Sequence, residues 1–332
     1  MSQIILSRVA ERVYWMARYL ERVENTARLV TVYTDLLLDL PRGVDLSWYN
    51  LVVLNSATEP FLERYTRRDE RNVLKFMLAD DSNPSSMSES LKLARENART
   101  SRDVVPEATW EFVNELYLYV QKNINQGINR GSRHEFIDDV IKACHQISGL
   151  FANSMSKDAT SEFLRLGRTL ERADMATRIL DAGASATMEA EQQSPNLPQI
   201  VWSNVLNSVD AYQPYLREVG GPVTGDSVAE FLLENVHFPR SLSFCLKRME
   251  NAIARLPRGE MVKLQAEAVG KDHVGTVGKR EVFNVVFHKI RFFESEFYGT
   301  RALVTFRDFN NNVMVWWTGE GTKALDAMTE GE

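Results

Sequence analysis

A twelve-residue stretch near the start of the chain returns later without a gap. Residues 17–28 read ARYLERVENTAR and residues 167–178 read GRTLERADMATR. The two stretches are 150 positions apart, and they share an arginine, a leucine, a Glu-Arg pair, an acidic residue and a final arginine at matching places. Because an ungapped repeat of this length sets the architecture of a chain, it predicts two similar halves, residues 7–155 and 159–256, in a domain that spans residues 1–257.

Both copies of the repeat have the apolar spacing of an α-helix. Apolar side chains recur every three or four positions, which places them on one face. In the first copy this face comprises Val13, Met16, Leu20, Val23, Ala27 and Val30, and in the second Phe163, Leu166, Leu170, Ala173, Thr177 and Leu180. The same spacing continues to about residue 256, so the fold class is predicted to be mainly α, a helical bundle. The glycines at 127–131 and the small, polar stretch after Asp181 are interpreted as loops, and Val201–Val219 as helical.

A second, polar face runs along each repeated helix. Arg18, Glu21, Asn25 and Arg28 form it in the first copy, and Arg168, Glu171 and Arg178 reproduce it in the second. A solvated face with ion pairs three or four residues apart would stabilise each helix by only a few tenths of a kcal/mol per pair. Solvent contact does not require the same residues twice, so a shared polar network that is buried or lines a cleft is the alternative.

A shorter similarity follows the repeat in both halves. Glu96-Asn97 is followed by Arg102, and Glu234-Asn235 by Arg240, so each half has an arginine six residues after a glutamate. The two segments stand 138 positions apart, in the order of the longer repeat. The candidate residues for ligand binding or for a polar network are therefore Arg18, Glu21, Arg22, Glu24, Arg28, Glu96, Asn97, Arg102, Arg168, Glu171, Arg172, Asp174, Arg178, Glu234, Asn235 and Arg240.

The overall composition argues against several classes of protein. Of the 332 residues, 44% are hydrophobic and 25% charged, which is the balance of an ordinary soluble globular chain. The net charge of −6 argues against non-specific nucleic-acid binding by the whole protein. No apolar run approaches the ~20 residues of a membrane span. The two cysteines, Cys144 and Cys245, indicate no disulfide framework, so we predict a cytoplasmic protein without membrane segments.

The chain shows none of the common sequence patterns of catalytic or cofactor sites. Its five histidines have no metal-ligand spacing with each other or with the cysteines, and no glycine-rich phosphate loop is present. We therefore predict no metal and no cofactor. His237 near Glu234, and Cys144 next to His145, are interpreted as structural residues rather than as a base and a nucleophile. Whether the protein is an enzyme stays open.

The opening of the chain resembles a known family. Residues 6–22, which read LSRVAERVYWMARYLER, resemble the beginning of the alpha-E domain, a bacterial all-helical family named for its Glu-Arg motif. Glu96–Arg99, the second Glu-Arg helix and Glu234–Ser241 also resemble family segments in the family's order, over about residues 1–256. Members lie beside, or are fused to, ATP-grasp and transglutaminase-like proteins. The resemblance thus implies an accessory or binding component of a peptide- or amide-ligating system, and it brings no catalytic role.

Three chemical roles of the Glu-Arg helices stay open. Arginine binds carboxylate or phosphate in a bidentate manner, so the arginines predict an anionic or peptide-like ligand. The opposing interpretation pairs them internally with Glu21 and Glu171. An enzyme of amide chemistry would use Glu21 or Glu171 as its general base, whereas a pure scaffold would need neither.

The last part of the chain has a different pattern. Val262–Ala268 alternates with period two, and residues 301–306 and 313–317 flank a turn, which predicts strands and a hairpin. Residues 259–332 are therefore predicted to form a small β-rich module. It resembles an incomplete OB-like barrel of the kind appended to phage replication proteins, and a fusion artefact is the alternative. Basic and aromatic residues mix between Lys279 and Arg307, which predicts binding of single-stranded nucleic acid unless the aromatics fill the barrel core.

Overall fold

The computed structural model describes residues 5–39, 47–190 and 197–257, and the strands between residues 285 and 319. The chain divides into two units, residues 1–257 and 258–332. All regular structure in the described part of the first unit is helical. The prediction of a mainly α fold is therefore confirmed.

Twelve helices form the described part of the first unit. They are α1 (Ser7–Asp39), α2 (Asn50–Leu54), α3 (Thr58–Arg64), α4 (Glu70–Leu78), α5 (Met87–Arg99), α6 (Ala108–Ile128), α7 (Arg133–Ser154), α8 (Ala159–Ala190), α9 (Leu197–Ser208), α10 (Tyr212–Glu218), α11 (Gly225–Glu234) and α12 (Leu242–Arg255). Asp69, Ser86, Thr224 and Ser241 each accept a hydrogen bond from the backbone N–H three residues later. These side chains satisfy otherwise free donors and so fix where α4, α5, α11 and α12 begin.

The long helices α1 and α8 form the centre of the first unit. α1 packs against α8, α5 and α7, and α8 also packs against α12 and α9. The backbones of α1 and α8 approach closely at Gly167, where an added Cβ would lie 2.1 Å from the carbonyl oxygen of Tyr14. A glycine inside the second repeat therefore sets how closely the two Glu-Arg helices cross.

The predicted apolar face of the first Glu-Arg helix is confirmed, whereas that of the second is confirmed only in part. On α1, Leu20 is 8% exposed and the other predicted positions are fully buried. On α8, Ala173 is buried, but Leu170 is 36% exposed and Thr177 is also exposed. The residues that α8 buries outside the predicted face include Leu164, Glu171, Met175, Ala176 and Ile179. The reason is that α7 lies against the side of α1 that carries Leu20, while the corresponding side of α8 stays open among the described residues.

Two helices are longer than the sequence predicts. α6 continues through Gly127, and α8 continues past Asp181 to its end at Ala190. α8 continues through the glycine at 183, where an added Cβ would lie 2.3 Å from Val205 of α9. Small residues in this stretch thus serve close packing between two helices rather than a loop.

A tight turn interrupts the segment Val201–Val219 that is predicted to be helical. This segment covers most of α9 and all of α10, and Asp210 between the two helices has a left-handed backbone with φ 57°. Ser56, between α2 and α3, has nearly the same value, φ 55°. The residue after each of the two donates its backbone N–H to a carbonyl five residues earlier. The same turn therefore occurs twice, 154 positions apart.

The strands of the second unit form a three-stranded antiparallel sheet in the order β1-β2-β3. β1 spans Val285–Ser295, β2 spans Gly299–Asp308 and β3 spans Val313–Gly319. The register of β1 against β2 shifts between Phe287 and Lys289. The strand predicted at residues 262–268 lies outside the described residues. The complete OB-like module and its binding of nucleic acid therefore stay predictions.

Candidate functional site

Glu171 on α8 accepts hydrogen bonds from two arginines of α1. Arg18 donates from Nε to Oε2 over 2.6 Å, and Arg22 donates from Nε to Oε1 over 2.6 Å and from Nη2 to Oε2 over 3.1 Å. The Arg18 guanidinium also lies 5.2 Å from the ring centre of Trp15, and that of Arg22 lies 5.7 Å from that of Tyr19. Cation–π contact on one side and the carboxylate on the other hold both guanidiniums in place.

The reverse arrangement occurs at Glu21 on α1. Arg172 of α8 donates from Nε to Oε1 over 2.7 Å. Arg240, which precedes α12, donates from Nη1 to the same oxygen over 2.8 Å and to Oδ1 of Asn25 over 3.0 Å. Each of the two glutamates thus binds the arginine that directly follows the other glutamate. The two helices share one largely buried polar network.

Glu24, one turn after Glu21, extends the network towards α7. Its Oε1 accepts hydrogen bonds from Arg240 and, over 2.9 Å, from Arg28, and it lies 3.4 Å from Nε2 of His145. Burial acts to raise the pKa of Glu24, but the hydrogen bond from His145 and the charges of the two arginines outweigh it and hold the pKa below its usual value. The same hydrogen bond raises the pKa of His145.

His145 makes part of the network's stability depend on pH. Because its pKa is raised in the folded protein, its contribution is fully present below the unfolded pKa of about 6.5 and is lost as the pH rises through the folded value. We expect His145→Gln to lower the free energy of unfolding more at about pH 5.5 than at about pH 8.5. Urea denaturation of both proteins at the two pH values measures the difference. Equal losses at both would contradict the expectation.

Asp174 and Arg178 form an outer pair on α8. Arg178 donates from Nε to Asp174 over 3.1 Å and from Nη1 to the hydroxyl of Ser56 over 3.0 Å. Arg28 occupies the matching position on α1, and its Nη1 lies 3.5 Å from a carboxylate oxygen of Asp210. Ser56 and Asp210 are the residues of the two left-handed turns. Arg178 thus contacts the turn at Ser56, and Arg28 contacts the turn at Asp210.

Arg168 differs from the other arginines of the network. It forms no hydrogen bond or ion pair with any residue that the structure describes. Together with Glu21, Glu24 and Cys144, it lines a small cleft of about 10 Å³ between α1, α7 and α8. Burial lowers the pKa of Arg168, and the charge of Arg172 lowers it further. No residue of the described chain binds this guanidinium directly.

The first Glu-Asn segment lies outside this network. Glu96 is exposed on α5 and pairs with Arg99 over 2.7 Å. Asn97 is half-buried on the same helix. The exposed Arg102 lies 4.2 Å from the ring centre of Trp110. None of the predicted residues of this segment contacts the Glu-Arg pairs.

From the second Glu-Asn segment, Arg240 reaches the network. Glu234 is exposed at the end of α11. Oδ1 of Asn235 accepts hydrogen bonds from the backbone N–H groups of His237 and Phe238 over 2.8 and 2.7 Å. Asn235 therefore shapes the turn that leads to Arg240 and makes no contact with the network itself.

The predicted equivalence of the two Glu-Asn segments is wrong. Glu96-Asn97 lies within α5, whereas Glu234-Asn235 lies where α11 ends. The loop that matches Asn235–Ser241 by its hydrogen bonds is Asp80–Ser86. The first side chain of each loop accepts a bond through Oδ1 from the N–H two residues later, and the last residue caps the following helix. The two loops are offset by 155 residues, so Ser85 in the first half corresponds to Arg240 in the second.

Asn25 and His145 belong to the network but were not among the predicted site residues. Asn25 carried a usable signal, since it lies on the same polar face as Glu21 and Arg28 at helical spacing. His145 carried none, because its role depends on how α7 packs against α1.

A family model described as "a predicted alpha-helical domain with a conserved ER motif" matches residues 5–278. The chain belongs to the Alpha-E family. The resemblance inferred from the opening residues is thereby confirmed. Glu-Arg pairs, the feature in the Alpha-E description, occur in the network at residues 21–22 and 171–172.

Curated relatives of this Alpha-E chain include uncharacterised mycobacterial proteins. One from Mycobacterium bovis and one from Mycobacterium tuberculosis strain CDC 1551 are 24% identical over 268 residues, and one from M. tuberculosis H37Rv is 23% identical. Each match covers 75% of this chain and 30% of the relative. The chain thus matches less than a third of the length of these relatives. No solved structure matches it.

The site of this Alpha-E chain is built from guanidinium, carboxylate, imidazole and amide groups. Among residues 5–39, 47–190 and 197–257, no three His, Cys, Asp or Glu side chains are grouped as metal ligands. In the same part of the chain, no helix combines the length and the apolar character needed to cross a lipid bilayer.

Proposed function

We propose that the helical unit binds an anionic or peptide-like ligand at the network between the Glu-Arg helices. The observation that carries this proposal is an excess of positive charge. Six arginines, Arg18, Arg22, Arg28, Arg168, Arg172 and Arg240, meet three carboxylates, Glu21, Glu24 and Glu171. Even when the exposed Asp210 is counted, two positive charges have no counterpart. Unbalanced charge that is removed from water is unfavourable unless an anion pairs with it.

The ligand chemistry fits an accessory component of a peptide- or amide-ligating system. Peptides and activated acyl groups carry carboxylates and phosphates, which guanidinium groups bind through two parallel hydrogen bonds. ATP-grasp-type and transglutaminase-like proteins are the partners that we propose on the basis of the family resemblance. In each mycobacterial relative the matched stretch is 30% of a longer chain, which is compatible with a domain that works beside others.

The reciprocal ion pairs also support the proposal of two related halves. Corresponding features of the two halves are separated by a nearly constant number of residues. The offset is 150 for the Glu-Arg helices, 154 for the left-handed turns and 155 for the caps of α5 and α12. The spacing changes by only five residues over five consecutive helices, and the order of elements is kept. An exchange of α1 with α8 converts the Glu21–Arg172 pair into the Glu171–Arg22 pair.

The alternative of an enzyme that uses Glu171 as a general base is disfavoured by the same contacts. Three hydrogen bonds from arginines occupy the two oxygens of Glu171, so little capacity is left to accept a proton from a substrate. At Glu21 the arginines bind Oε1, and Oε2 accepts no bond from a described residue. The catalytic alternative therefore narrows to Glu21. A Glu21→Gln protein that folds normally but has lost turnover would favour an enzyme, whereas loss of folding would support a structural ion pair.

Titration with charged peptides tests the proposed function. We expect a penta-glutamate peptide to raise the melting temperature of the full chain, and penta-lysine at the same ionic strength to leave it unchanged. A ligand at about 100 times its Kd stabilises the folded state by about 2.7 kcal/mol. Isothermal titration calorimetry supplies the Kd, which is expected to rise with salt. The absence of binding, or equal binding of both peptides, would refute the proposal.

A further inference from the structure

We propose that Arg168 is the residue of the network that contacts an oxyanion, a carboxylate or phosphate group, of the ligand. This inference rests on the proposed function and assigns the contact to one guanidinium. Arg168 has five N–H donors, and none of them is bonded to a described residue. The other five arginines of the network each have a carboxylate acceptor on a described helix.

Arg168 and its counterpart in the first half differ in their contacts. Arg18, 150 positions earlier, donates to Oε2 of the glutamate on the other helix. Glu21 is the equivalent carboxylate for Arg168, and its hydrogen bonds from described residues, donated by Arg172 and Arg240, are both at Oε1. Arg240, where the first half has Ser85, adds a positive charge beside Glu21 that disfavours the charged form of Arg168.

The cleft in front of Arg168 gives a ligand an approach to this guanidinium. α7 forms one wall with Ser148 and Phe151, and Leu164 of α8 lies beside Arg168. The cavity, of about 10 Å³, has room for roughly one water molecule. No nitrogen of Arg168 is among the buried atoms without a hydrogen-bond partner, so its unbonded donors reach solvent. An oxyanion that binds there replaces water on these donors.

The charges around Arg168 favour an anion at this position. Arg172 and Arg240 are close enough to disfavour its positive charge, whereas Glu21 and Glu24 favour it. Because both glutamates are already bound by other arginines, they compensate Arg168 only in part. An oxyanion bound to Arg168 reduces the repulsion among the three guanidiniums.

The test compares the affinity of three proteins for inorganic phosphate and for penta-glutamate, by calorimetry at constant ionic strength. The proteins are the wild type, Arg168→Met and Lys142→Met. The last is the matched control, because it removes an exposed positive charge from α7. We expect binding to Arg168→Met to weaken by about tenfold or more and binding to the control to stay unchanged. The probe that the wild type binds identifies phosphate, carboxylate or both as the oxyanion.

Each outcome of this comparison is decisive. Equal affinity of the wild type and Arg168→Met overturns the assignment of Arg168 and leaves the proposed function standing. No binding of either probe by the wild type overturns both. We expect Arg168→Met to fold, since an apolar side chain of similar length replaces a charge without a partner. A protein that fails to fold shows that Arg168 has a structural partner, which also overturns the inference.

Discussion

Replacing Glu171 with glutamine is expected to lower the free energy of unfolding by about 3 kcal/mol. The carboxylate is 2% exposed and accepts three hydrogen bonds from Arg18 and Arg22. Glutamine keeps the shape of the side chain but removes its negative charge, so both guanidiniums lose their counter-charge. Breaking a buried ion pair in this way costs about 3–5 kcal/mol. The lower end applies, because the two arginines retain some solvent contact. Urea denaturation of the full chain measures the loss.

Glu96→Gln on α5 is the matched control for this prediction. Glu96 also forms a salt bridge with an arginine, Arg99, but both side chains are exposed. Exposed ion pairs are screened by water and salt, so we expect no measurable change in stability. If Glu96→Gln and Glu171→Gln were to have the same effect, the network would be no more than a set of surface ion pairs.

Much of the fold follows from local signals in the sequence. The apolar spacing of the first repeat predicts a helix from Ser7 to about Leu38, and α1 ends one residue later. Asp69, Ser86, Thr224 and Ser241 are residue types that favour helix N-caps, and each caps a helix. These features depend on interactions within a few residues, which the order of amino acids determines directly.

The buried face of α8 could not be predicted in the same way. Leu170 occupies the place in the second repeat that Leu20 occupies in the first, so both read as core residues. Leu20 is buried because α7 lies beside it, whereas Leu170 has no such neighbour among the described residues. Helical spacing determines which residues share a face, but not which faces another helix covers.

Most members of the candidate site could be predicted, but their connections could not. Identical Glu-Arg pairs 150 residues apart made a shared polar network one of two interpretations of the sequence. The sequence did not show that each glutamate binds the other helix's arginine, because that depends on the crossing of α1 and α8. The similarity of Glu96-Asn97 to Glu234-Asn235 was misleading, since loops that match in hydrogen bonding begin with Asp80 and Asn235, which are different amino acids.

Replacing Gly167 with alanine is expected to lower the free energy of unfolding by about 3 kcal/mol or more. The new Cβ would lie 2.1 Å from the carbonyl oxygen of Tyr14 and 3.0 Å from its carbonyl carbon. These are backbone atoms inside α1, so no side-chain rotation relieves the overlap, and the two helices must separate. Overpacking costs about 1–3 kcal/mol and sometimes more. Separation also lengthens the bonds of Arg22 to Glu171 and of Arg172 to Glu21, which adds to the loss.

Gly149→Ala on α7 isolates the effect of this contact. Gly149 lies in a long helix, as Gly167 does, but an added Cβ there meets no atom within 4 Å. Alanine favours a helix over glycine by about 0.5–1 kcal/mol, so we expect Gly149→Ala to stabilise the protein. The two substitutions should therefore shift the midpoint of urea denaturation in opposite directions. A Gly167→Ala protein as stable as the wild type would show that α1 and α8 do not cross as closely as the 2.1 Å distance requires.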